Sequence, residues 1–422
     1  MANHLALFRA VITSQASAGI QTIASLAVLI LLTRNTEVAT FGQYAVLSGV
    51  VATFTKFAGI NTFFFYRNRY PLVSYREALG ILALYLPFVL ICGAVVVLVA
   101  AGTNLALPFL PLVDTIDYLF LGALAMLSLL NIELARFYQS IGRNVFGIWL
   151  ATAAKVAGLA LLLVALAILQ APFSLRTILI VLVLAQILTI SYQIARDPPF
   201  LQILSARPGR FDWRAITTGV LMIPTALFYD ALTLLDRLAI SAHLSYETVG
   251  HYSLASQGIM IAYTILGGSL ITLFYPRLVQ ARQAKRADET YRIIRFGFLV
   301  GTGSCIVGGI AIAALSGLVP LVFGAQYNES VDILRMMSFL PLALFLLSAL
   351  AHLSYLYEDQ KLSVLAYTFG TVLCAALNYG LVAMWGTVGA IAAAYISLVT
   401  LIVLHVFILL RRLPQIRHGQ PG

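Results

Sequence analysis

The chain has 422 residues, 61% of them hydrophobic and only 10% charged, with a mean hydropathy of +0.95. A soluble domain carries about 25% charged residues, so these values exclude that class and point to an all-α protein that crosses a membrane many times. The net charge of +10 is dispersed along the chain with no soluble domain to dock a duplex, so contact with anionic lipid, not nucleic acid, is expected.

Twelve apolar stretches follow in chain order: 10–32, 42–65, 78–101, 118–139, 145–169, 174–194, 215–240, 249–276, 293–316, 330–353, 362–385 and 387–411. Each is near the roughly 20 residues that a spanning helix needs. None alternates with a period of two, which excludes a β-barrel. The cations set an orientation. Only Arg34 and Arg176 fall on one set of alternate connections, and Lys56, Lys155, Arg237 and Arg335 lie within or at the ends of spans. The other 20 of the 26 Lys and Arg fall on the opposite set. By the positive-inside rule those connections are cytoplasmic, and both termini are expected on that side. No small-residue cleavage site clearly ends the first apolar run, which is read as an uncleaved anchor.

Two six-helix halves are expected, 1–205 and 206–422, divided in the Pro-rich connection that holds Pro198, Pro199, Pro208 and Gly209. Span two opens with Phe41-Gly42-Gln43-Tyr44-Ala45 and span eight with Val249-Gly250-His251-Tyr252-Ser253. Leu107-Pro108-Phe109 parallels Val319-Pro320-Leu321. Repeats of six helices are parallel, a transporter design with its site in a central cavity between the halves. The segment 280–292 reads either as an amphipathic surface helix or as a solvated basic loop.

Charge within hydrocarbon marks function by default. In span one, Ser14, Ser17, Gln21 and Ser25 form a polar stripe, which either lines a wet cavity or packs another helix. Lys56 is expected about 21 Å from one end of span two and about 14 Å from the other, and Lys155 about 15 Å into span five. Each is either a cation lining a cavity or half of an ion pair. Glu133 and Arg136 share a helix face, as do Asp332 and Arg335. Asp230 is the deeper acid of span seven and a candidate for ion coupling, with Glu133. Asp236 and Arg237 are adjacent and point in different directions. Pro87, Pro224 and Pro341 favour kinks, and Gly297 and Gly301 favour close helix packing. Cys92, Cys305 and Cys374 lie in spans without a CxxC pair and are read as packing residues. No P-loop and no HExxH occurs, so neither an ATPase engine nor a zinc hydrolase is expected, and no metal or cofactor is assigned.

These features carry a resemblance. Phe41-Gly42-Gln43-Tyr44, Asp236-Arg237 with Val249-Gly250-His251-Tyr252, and Phe274-Tyr275-Pro276-Arg277 follow one another in order. Leu321-Val322-Phe323-Gly324-Ala325-Gln326-Tyr327 and Gly386-Thr387-Val388-Gly389-Ala390 come after them. The chain resembles the polysaccharide-flippase (Wzx-type) branch of the multidrug/oligosaccharidyl-lipid/polysaccharide exporter superfamily. The resemblance implies translocation of an undecaprenyl-pyrophosphate-linked oligosaccharide across the bacterial inner membrane, for O-antigen, capsule or exopolysaccharide synthesis, by ion-coupled alternating access. It also implies a cationic cavity, which Lys56 and Lys155 fit; Gln21 of the polar stripe is a further substrate-binding candidate, and Arg237 or Arg335 is the expected counterpart in the second half if it turns inward. The implied partners are the lipid-linked oligosaccharide, membrane lipids and other polysaccharide-assembly membrane proteins. Twelve spans argue against the lipid II branch, whose members generally have fourteen. Two alternatives stay open: a cation-coupled drug or metabolite antiporter of the same superfamily, and a membrane glycan polymerase or ligase. The longest outer connection, 102–117, carries no cation, which disfavours the enzyme.

Overall fold

The computed structural model describes residues 19–20, 22–58, 74–106, 114–141, 143–197, 213–284, 286–356 and 360–411. Among them the regular structure is helical throughout. In chain order the helices are α1 (Thr22–Asn35), α2 (Val38–Ala58), α3 (Tyr75–Ala106), α4 (Thr115–Ser140), α5 (Asn144–Leu169), α6 (Leu175–Arg196) and α7 (Trp213–His243). Then come α8 (Tyr246–Tyr263), α9 (Ser269–Gln283), α10 (Ala287–Leu315), α11 (Val319–Phe323), α12 (Ser330–Met337), α13 (Leu340–Leu356) and α14 (Gln360–Leu410). Ten stretches of the described residues are long and apolar enough to cross a membrane. The longest of them, Lys361–Leu410, holds two of the expected spans, and α1 is the described part of the first. Large apolar side chains face outward on these helices, among them Leu98, Ile168, Leu299, Val307 and Phe407, as lipid-facing helices require.

The chain divides into two compact units, Met1–Ile223 and Pro224–Gly422. In the first, α4, α5 and α6 pack on one another, while α2 and α3 pack against α4. Local signals start these helices. Ser74 and Glu77 form a reciprocal cap at α3, the Ser74 N–H donating to Glu77 Oε2 at 2.9 Å and the Glu77 N–H to Ser74 Oγ at 3.4 Å. Ser174 caps α6 by accepting from the Thr177 N–H. The Phe173 N–H donates to the Asn35 carbonyl at 2.7 Å and ties the entry of α6 to the end of α1.

In the second unit α8 runs into α9 through a π-helical turn at Thr264–Gly268. α13 packs on α8, α10 and α14, and α12 packs on α8. Pro341 interrupts the regular hydrogen bonding within the one span Ser330–Ser354. It has no N–H for the Met337 carbonyl, so this span, expected at 330–353, is divided into α12 and α13. The Tyr395 hydroxyl donates to the Met336 carbonyl beside that interruption at 3.1 Å. The last two spans are a helical hairpin reversed at Gly386, whose φ of 59° and ψ of −135° belong to glycine. A Cβ on Gly370 would meet Leu401 at 2.7 Å, and one on Gly389 would strike the Leu381 carbonyl. The two arms therefore run antiparallel and close. A Cβ on Gly301 would collide with the Phe345 ring, so the α10–α13 seam needs that glycine.

The described part of the segment 280–292 is mostly helical, and 287–292 lead into span nine as a largely exposed helical stretch. α9 continues to Gln283 and α10 starts at Ala287. Arg282 in the last turn of α9, and Asp288 and Glu289 in the first turn of α10, match the helix dipole at each end, so two spans meet there in a short turn.

Candidate functional site

The first unit ties its charges at the helix ends. At the cation-rich end Asp197, the residue that closes α6, is buried and accepts three donors on one oxygen. These are the Tyr75 and Tyr138 hydroxyls, each at 2.7 Å, and Arg143 Nη1 at 3.1 Å. The Arg143 guanidinium also lies 4.8 Å from the centre of the Tyr75 ring. A carboxylate at a helix C-terminus opposes the dipole, and charge-assisted bonds offset this. One acid thereby joins the ends of α3, α4, α5 and α6. At the opposite end Arg176, in the first turn of α6, is bonded to Asp114 and to Asp117. One of the two cations on that side is thus paired with acids.

Within the spans of this unit lie the predicted residues. Glu133 on α4 is buried, 2.8 Å from Arg136 Nη1, and accepts from the Tyr85 hydroxyl of α3 at 3.0 Å. Lys155 stands near the middle of α5 with an exposed side chain, and its Nζ donates to Ser25 Oγ of α1 at 2.9 Å. The structure thus joins the polar stripe of span one to the span-five lysine. Of that stripe, Ser14, Ser17 and Gln21 lie outside the described residues. Lys56 is half-buried in the last turn of α2. Asn131 Nδ2 of α4 donates to Gln186 Oε1 of α6 at 2.6 Å, a further polar link inside a span.

The second unit buries three charged side chains of one helix. Asp230, Asp236 and Arg237 on α7 are 7%, 1% and 5% exposed. The Asp236 carboxylate accepts from the Arg237 backbone N–H at 2.7 Å. Tyr252 of α8 stands beside that carboxylate, with Cys374 of α14 also close. Asn378 donates to the Cys374 carbonyl at 3.0 Å. One turn from Asp230, Thr233 donates its hydroxyl to the Asp230 carbonyl. A narrow pocket near these acids is lined in part by Tyr229, Thr233, Tyr252 and Ser256.

Beneath it runs a hydroxyl network. Ser348 Oγ of α13 lies 3.1 Å from the Tyr229 hydroxyl and 2.7 Å from that of Tyr263, and Tyr229 lies 3.4 Å from the Tyr367 hydroxyl. His405 packs edge-on against Tyr367 at 5.1 Å. Arg335 is elsewhere, in the last turn of α12, bonded to Ser316 Oγ at 2.9 Å and to Asp332 at 3.1 Å. His251, buried at the start of α8, accepts Ser330 on its backbone carbonyl at 3.1 Å and lies 3.6 Å from Glu329.

No protein-family model matches the chain, and no curated protein does. Solved structures do. The chain is similar to an inward-facing multidrug-resistance MATE-family transporter of the MOP superfamily, with a TM-score of 0.67 and 12% identity over 97% of this chain and 98% of that one. It is similar to the lipid II flippase MurJ in an inward closed conformation, with a TM-score of 0.66 and 13% identity over 94% of this chain and 87% of that one. An outward-facing MATE-family transporter follows at 0.60 and 15%, over 98% and 96%. The chain has the fold of these membrane proteins.

Within that fold the expected residues fall on both units: Lys56, Lys155 and Glu133 on the first, Asp230, Arg237 and Arg335 on the second. The Asp197 node and the Ser348 hydroxyl network are absent from the sequence reading. Their tyrosines and serines sit in apolar runs, and their partners are 54 to 138 residues away. Tyrosine inside a span is the one signal that pointed to them, because a buried phenol needs a partner.

Proposed function

We propose that this protein carries a polyprenyl-pyrophosphate-linked oligosaccharide between the leaflets of the bacterial inner membrane, by ion-coupled alternating access of the halves 1–205 and 206–422. The observation that carries this reading is Lys155, whose side chain lies on the exposed face of an apolar helix near its middle and whose ammonium is bonded to Ser25. A lysine held there has value only if it meets an anion or water, since facing lipid is costly. A pyrophosphate is such an anion. The fold shared with a lipid II flippase fits a lipid-linked substrate, and Lys56 is the second candidate cation. Coupling is assigned to the buried acids of α7, of which Asp236 stands beside Tyr252, a residue that also lines the narrow pocket. Glu133, held between Arg136 and Tyr85, is the corresponding acid of the first half. Arg237 and Arg335 are the candidate counter-cations of the second half. The cation-rich connections place both termini on the cytoplasmic side.

The test is reconstitution of the pure protein in vesicles carrying a fluorescent polyprenyl-pyrophosphate oligosaccharide in one leaflet. Transfer to the other leaflet that rises with an imposed ion gradient is expected. A second reading has a specific basis, because the MATE-family transporters match as well as the flippase does. If the same vesicles extrude a cationic dye and leave the lipid-linked glycan where it was, the protein is a drug antiporter. New glycosidic bonds formed in the same vesicles would make it an enzyme.

A further inference from the structure

We propose that the groove between α9, α10 and α13 binds one acyl chain of an anionic membrane phospholipid, with the headgroup phosphate held by Arg282 and Arg286. Leu270, Phe274 and Leu278 line one wall and Ile294 and Phe298 the other, with Phe345 at the inner end. The three α9 residues recur every four positions, so the wall runs for about 12 Å along the helix. That is most of one leaflet's share of a hydrocarbon core about 30 Å thick.

The same row of α9 reaches Arg282 one turn beyond Leu278. Arg282 is half-buried in the last turn of the helix. Arg286 opens α10 on the other side of the turn, its Nη1 3.2 Å from Glu289. Arg277, Arg292 and Arg295 are exposed around this end, so cations outnumber Asp288 and Glu289 there. An apolar slot closed by cations complements a lipid chain ending in an anionic headgroup. A water-soluble peptide matches the cations but not the slot.

Occupancy would reach the interior. His352 lines the groove, packs against Tyr275 at 4.9 Å and bonds through Nδ1 to the Ser348 carbonyl at 2.7 Å. Ser348 is the residue on which Tyr229 and Tyr263 converge.

The test is photo-crosslinking of the full-length protein in vesicles, using a diazirine-acyl phosphatidylglycerol probe and its phosphatidylcholine counterpart. Labelling is expected in the peptides that carry 270–298 and 345–353. The anionic probe should exceed the zwitterionic one by about fivefold or more, the factor one arginine near an anionic headgroup contributes. Replacing both Arg282 and Arg286 with Gln should equalise the probes. Gly297 stands in the groove wall, and a Cβ there would meet Phe274 at an ordinary 3.5 Å. Gly297→Leu should therefore fill the slot and remove the labelling, and Ile294→Trp should do the same if the first variant folds poorly. Equal labelling by the two probes in the parent protein, or labelling unchanged in both filled variants, overturns the proposal. Displacement of the probe by a polyprenyl phosphate but not by excess phosphatidylglycerol also overturns it, and assigns the groove to a carrier lipid.

Discussion

The two units treat polar groups in opposite ways. The first pairs them at helix ends, Asp197 with Arg143 and two tyrosines at one end and Arg176 with Asp114 and Asp117 at the other. It leaves an exposed lysine, Lys155, within a span. The second draws Asp230, Asp236 and Arg237 into its interior, with the Tyr252 phenol beside Asp236. Burying a charge is costly unless a partner, a proton or a bound cation offsets it. A buried acid beside a phenol suits a group that gains and loses a cation, whereas a lysine held within a span suits recognition of an anion. The division of labour proposed here places substrate recognition on the first unit and coupling on the second.

The comparison breaks first at Asp236. Asp236→Asn keeps the shape and removes the charge, so transport driven by an ion gradient should collapse to the rate seen without one. A vesicle assay with and without the gradient measures this, and a variant that still responds fully removes coupling from the second unit. Next in size is the Asp197 node. Asp197→Ala leaves the buried Tyr138 hydroxyl without its acceptor and the half-exposed Arg143 without its acid, and should cost about 1–3 kcal/mol, seen as a fall in the thermal midpoint. Asp197→Asn should cost less. Gly386→Ala should cost about 1–3 kcal/mol, since an alanine there is held in a sparsely populated backbone region. The same unfolding assay reads it.

Lys155 sharpens the functional half of the comparison. Lys155→Ala should slow glycan transfer about tenfold, equivalent to about 1.4 kcal/mol of lost anion stabilisation, with abundance near normal. Lys155→Arg should retain more, because the charge stays although the donor geometry changes. Parental rates in both Lys155→Ala and Lys56→Ala would move the anion site away from the first unit. The smallest effect is expected at Arg335. Its bond to Asp332 is an exposed pair three residues apart, and Arg335→Ala should change stability by about 0.5 kcal/mol or less. A larger loss, or a transport defect, would bring Arg335 into the site.

What the chain alone determined is its class and its spans. Runs of about 20 apolar residues have one stable form in hydrocarbon, because each helix satisfies its own backbone. Even the Pro341 interruption and the Gly386 reversal rest on single residues whose backbone limits are local. The short pairs Glu133–Arg136 and Asp332–Arg335 were legible for the same reason, since spacing along one helix fixes which side chains meet. Only the tertiary structure decided the rest. Asp197 gathers Tyr75, Tyr138 and Arg143, Lys155 finds Ser25 across 130 residues, and Ser348 joins Tyr229 to Tyr263. No periodicity encodes such meetings. They follow from which helices become neighbours, and that is set by the summed packing of whole helix faces rather than by any short motif.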